Sequence, residues 1–136
     1  MGMKKILLLF IFSVITMFVN GQNIASANLT WDVDEVTDLQ TQTTIPYKAT
    51  FKTNASSSVE WIQKEGALAT LYNVVATEGT WENISSYGSF TFLLNRNGKH
   101  CRLTVEKDVG GTFITLHFET VENKNYRQRF RVLAKL

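Results

Sequence analysis

Between residues 88 and 136 apolar and polar side chains alternate four times over, and no other feature of the chain restricts its fold as much. Phe90, Phe92 and Leu94 are separated by Thr91 and Leu93, and Cys101, Leu103 and Val105 by Arg102 and Thr104. Ile114, Leu116 and Phe118 are separated by Thr115 and His117, while Tyr126, Phe130 and Val132 alternate with Arg127, Arg129 and Arg131. A period of two marks strands with one buried face, so this half reads as a four-stranded meander.

The turns test that reading, because a slip of one residue would set core side chains opposite solvent-facing ones. Asn97-Gly98 is the favoured type I′ hairpin pair, and as a two-residue loop it sets Leu94 opposite Cys101, Phe92 opposite Leu103 and Phe90 opposite Val105. Gly110-Gly111 as the next loop would pair Val105 with Leu116 and Leu103 with Phe118. Asn123-Lys124-Asn125, with Asn125 in the left-handed position, would pair Phe118 with Phe130. Under all three turns core meets core.

A sheet with one apolar face requires a cover. The first half offers Leu29, Trp31 and Val33, then Tyr47, Ala49 and Phe51 after Pro46, then Val59 and Trp61, each in alternation. The expected fold is therefore all-β: a two-layer antiparallel β-sandwich of seven to nine strands, or a partly closed barrel, containing the C-terminal four-stranded meander. Residues 57–77 leave an alternative open. Ser57 and Glu60 have capping-box spacing, and Leu68, Leu71, Tyr72 and Val75 have helical spacing, which would make an α+β fold with one helix within 57–77. Val74-Val75 and a Glu65-Gly66 turn favour strands instead.

The N-terminus has a different character. Lys4 and Lys5 precede an apolar run from Ile6 to Val19, the pattern of a secretory signal and too short for the roughly 20 apolar residues of a membrane span. Residues 1–21 are expected to be a signal peptide, cleaved after Gly21 or, at Ala25-Ser26-Ala27, after Ala27; residues 22–136 then form a single β domain that is secreted or periplasmic. Of the 14 basic residues two lie in the signal, leaving 12 against 12 acidic ones, so the mature domain lacks the basic excess of a nucleic-acid binder. Cys101 is the one cysteine, which excludes an internal disulfide and cysteine-based zinc sites.

With these registers the outer face of the meander collects Arg102, Arg127, Arg129, Arg131, His100 and His117, opposed on that face by Glu106 and Glu119. Such a surface suits an acidic glycan, a lipid headgroup or an acidic protein. The plainer reading is a solvated sheet face with cross-strand Arg–Glu pairs, or one neutralised by Asp32, Asp34, Glu35 and Asp38 if the terminal strands are neighbours. That acidic group lacks the glycine and ligand spacing of an EF-hand loop, and no metal or cofactor is expected. Glu106 and Glu119 fall roughly 13 Å apart at ~3.4 Å per residue, beyond the reach of a glycosidase pair. His100 and His117 have no accompanying nucleophile motif.

Trp81, Tyr87 and Phe113 are aromatics that the core face does not claim. Gly79-Thr80-Trp81 resembles the glycine-x-tryptophan near the start of lipocalins, a likeness covering three residues; too few strands follow it here to close an eight-stranded barrel. The expected function is a non-catalytic binding module that meets an acidic glycan or an exported protein through the basic sheet face. The alternatives are a small secreted hydrolase inhibitor working through loop 95–99 or 108–111, and a barrel that holds a small apolar ligand. The chain is not expected to be an enzyme.

Overall fold

The computed structural model describes residues 23–118 and 126–133. The predicted signal peptide, Glu119, Val121 and the Asn123–Asn125 turn lie outside the described residues. Eight strands follow one another in chain order: β1 (Asn28–Asp38), β2 (Thr43–Asn54), β3 (Ser58–Gln63), β4 (Leu68–Glu78), β5 (Gly88–Arg96), β6 (Lys99–Asp108), β7 (Gly111–Phe118) and β8 (Tyr126–Val132). Each pairs antiparallel with its neighbours and β8 returns to β1, so the sheet closes into an up-and-down barrel. Of the two all-β arrangements expected, the barrel is the one formed. Closure removes the exposed edges that a sandwich has to protect.

Residues 57–77 are strands. Between β3 and β4 the chain turns through Lys64, Glu65 and Gly66, all with positive φ. The helical spacing of Leu68, Leu71 and Val75 instead sets Leu71 and Val75 on the outer surface, exposed. A bulge between Val74 and Ala76 shifts the pairing with β5.

The hairpin at Asn97-Gly98 forms as expected. Both residues have positive φ, Asn95 Oδ1 accepts the Gly98 N–H at 3.0 Å, and Leu94–Cys101, Phe92–Leu103 and Phe90–Val105 are paired. The next two registers differ from expectation, each by an even number of residues. The β6–β7 loop is Val109-Gly110, because the Asp108 carboxylate accepts the Gly110 N–H at 2.8 Å and Gly111 already occupies the strand, opposite Asp108. Val105 therefore pairs with Ile114 and Leu103 with Leu116. In the last hairpin Tyr126 lies opposite Phe118, their rings 6.1 Å apart, so Phe130 meets Ile114 rather than Phe118. Even shifts keep every side chain on its expected face.

The inward side chains fill the barrel. Phe51, Phe90, Phe92, Phe130, Leu103, Ile114 and Leu116 are all essentially inaccessible to solvent. Six of the rings form two groups. Phe51, Trp61 and Phe130 meet at 5.2–5.7 Å between centroids, whereas Trp31 and Phe90 each lie against Trp81, at 6.4 and 6.3 Å. Each such side chain contributes roughly 1.5–3 kcal/mol of burial before entropy is counted.

Trp81 is buried, and its loop lies across one end of the barrel. Asn23 Oδ1 accepts the Trp81 N–H, the Ile24 N–H donates to the Trp81 carbonyl at 2.7 Å, and the indole N–H donates to Ser86. This ties the Ile24–Ser26 3-10 turn to the same end. The eight strands that the lipocalin-like tripeptide lacked downstream are made up by four upstream, with Gly79-Thr80-Trp81 lying between β4 and β5.

The Trp81 ring lies where Gly88 has no side chain: a Cβ there would come within 2.3 Å of it. Gly88→Ala should therefore destabilise the barrel by about 1–3 kcal/mol. Urea unfolding should show a lower midpoint at unchanged slope; an unchanged midpoint would mean the loop is not packed as described.

Candidate functional site

The outer surface of β5–β8 follows from the observed registers, which regroup the expected rows. Thr91, Thr104, Thr115 and Arg129 form one cross-strand row; Leu93, Arg102, His117 and Arg127 form the next. Glu106, Phe113 and Arg131 lie on one side, and Asn95 with His100 on the other. The two-residue shift at the β6–β7 turn sets His117 beside Arg102 rather than Thr104, and it sets Phe113, not Thr115, opposite Glu106. Glu119, and with it the Glu106–Glu119 separation, falls outside the described residues.

Four of the six expected residues come together. Arg102, His117, Arg127 and Arg129 border a shallow groove of about 260 Å³ with Glu106, Phe113 and the threonines. The Thr91 and Thr104 hydroxyls bond to one another at 2.9 Å in its floor. The Arg129 guanidinium sits 3.7 Å above the Phe113 ring centre, a cation–π contact that orients it across the face. Its ion pair with Asp108 is long, at 3.9 Å. Arg102 pairs with Glu78 at 3.7 Å, with both side chains more than half exposed. Surface pairs of this kind contribute ~0–1 kcal/mol and yield readily to a better partner. Arg127 has no ion pair among the described residues. His100, exposed beside the hairpin, belongs to a second hollow of about 330 Å³ that Arg102 and His117 also line.

Arg131 has a different role. β8 pairs with β1, and β1 carries a register shift between Val33 and Glu35. Val33 and Val36 are both buried, so the two residues between them, Asp34 and Glu35, project to the same outer side. Arg131 grips Asp34 through Nε at 3.0 Å and Nη2 at 2.8 Å, with Glu35 at 3.6 Å. The plain reading, mutual neutralisation between terminal strands, thus holds for Arg131. Asp32 accepts from Thr50, and Asp38 caps the turn after β1. The four acidic side chains therefore divide among three duties, Asp34 and Glu35 sharing Arg131.

Cys101 faces the core, as its place in the alternation requires, and burial pushes its thiol up to about 12. The chemistry at the groove comprises three guanidinium groups, an imidazole, hydroxyl groups and one aromatic face, with the Glu106 carboxylate at its border, an excess of positive charge that suits an anion. Among the described residues no helix is long and apolar enough to cross a membrane, a statement that does not bear on strands.

Comparison with protein-family models, curated proteins and solved structures finds no match.

The hydrogen bond from Arg131 holds the Asp34 carboxyl below its ordinary 3.8. A depressed carboxyl stabilises the fold above the unfolded value and loses that contribution as pH falls through the folded one. Thermal melts across pH should place Asp34→Asn below the wild type near neutrality, with the gap closing below pH 3.8; a gap that persisted in acid would exclude the charge pair as its cause. A disulfide reagent such as DTNB should leave Cys101 unmodified in the folded protein at mildly alkaline pH and modify it fully in denaturant. Rapid native labelling would contradict its burial.

Proposed function

We propose that the chain is an exported, non-catalytic binding module whose outer β5–β8 face takes an acidic glycan. One observation carries this reading: Arg102, His117 and Arg127 share a cross-strand row beside Arg129, around a groove floored by threonine hydroxyls. Guanidinium groups match carboxylate and sulfate oxygens through paired N–H donors. Hydroxyls and the Phe113 ring suit the hydroxyls and apolar faces of sugar rings. A closed sheet fixes the backbone that carries these side chains, which favours a stable scaffold with a passive surface over one that must rearrange.

The filled barrel interior supports an external rather than a central site for a large ligand. An acidic exported protein would meet the same charges, but the groove and its hydroxyl floor favour a polysaccharide strand. Retention on a sulfated polysaccharide matrix tests the reading, and it should weaken as salt screens the charges. Arg102→Glu with Arg127→Glu should abolish retention, a loss of ~10-fold or more in affinity. Arg131→Gln, which leaves the groove intact, should retain it. Equal retention of the double variant and the wild type would retire the proposal, and binding only to acidic proteins would transfer the site to a protein partner.

A further inference from the structure

The end of the barrel beside Trp81 contains a hollow that the outer face does not involve. Among the described residues β8 pairs with β1 as far as Val33–Val132, and beyond it the Leu133 N–H reaches the Asp32 carbonyl at 2.7 Å. A cavity of about 410 Å³ lies between β1 and the start of β7. Its size falls within the ~300–1,000 Å³ of small-molecule sites.

The walls come from inward positions of the barrel. Leu29 and Trp31 on β1, Thr112 on β7 and Val132 on β8 continue the buried alternation of their strands, and Ile84 and Leu133 close the rim. Lys107 lines it too, at the next inward position of β6 after Cys101, Leu103 and Val105. An apolar residue would suffice there for packing. Its ammonium donates to the Ile84 carbonyl at 3.1 Å, which leaves further N–H groups available. Trp31 is 97% buried, and among the described residues its indole N–H has no hydrogen-bond acceptor.

We propose that this cavity binds a small amphipathic anion, an apolar chain or ring lying against Leu29, Trp31 and Val132 with its carboxylate at Lys107. Two observations select that chemistry: mostly apolar walls and a single cation at an inward position. The site is independent of the basic groove on the outer face.

Decanoate and decanol serve as probes in isothermal titration calorimetry. Decanoate should bind with unit stoichiometry and about tenfold more tightly than decanol. Lys107→Met should erase that preference while leaving decanol binding in place, which shows that the cavity persists. Leu29→Trp, which fills the cavity, should remove both, with the far-ultraviolet circular dichroism spectrum verifying the fold. Absence of saturable decanoate binding, or an unchanged preference in Lys107→Met, would overturn the proposal. The Arg102→Glu, Arg127→Glu variant should bind decanoate as the wild type does, so failure here and failure at the outer face are distinguishable.

Discussion

Eight strands make a barrel only if the last finds the first, and everything else in this structure is arranged around that seam. β8 and β1 pair from Asp38–Gln128 to Val33–Val132, through the irregularity at Asp34. The bulge costs one ladder step, yet it turns two consecutive carboxylates outward onto Arg131. The seam is therefore held by backbone bonds inside the wall and by a paired guanidinium outside it. The same pairing fixes Arg127 and Arg129 on the face that also presents Arg102.

Much of this was legible from alternation and turn chemistry. The inward set Phe90, Phe92, Leu94, Cys101, Leu103, Val105, Ile114, Leu116 and Phe130 follows from period two, and each faces the core. Asn97-Gly98 identified its hairpin to the residue because both positions need positive φ. Gly110-Gly111 was ambiguous for a physical reason: two glycines offer two places for the loop, and a slip of two leaves every face unchanged. The side chain that decides is Asp108, whose carboxylate accepts the Gly110 N–H. A register defined by faces alone is fixed only to even numbers, which is why the arginine rows shifted while the basic face persisted.

Other features were hidden for different reasons. Val36 is buried although alternation from Val33 would turn it outward, since no local signal reported the bulge. Closure itself is a long-range property: the sequence pattern supplied one-sided strands but not whether the ends would join or stack as two sheets. The Arg131 pairing depended on that closure and could be stated only conditionally. Lys107 was readable. It occupies an inward position two residues after Val105, and a charged side chain at such a place marks the end of a core or the wall of a site.

The division of rings into two groups has an optical consequence. Trp31 and Trp81 lie 6.4 Å apart, while Trp61 stacks on Phe51 in the other group. At so short a distance the first pair exchanges excitation, whereas Trp61 emits from separate surroundings. Intrinsic fluorescence thus carries two signals from one molecule, one from the Trp31–Trp81 pair and one from Trp61.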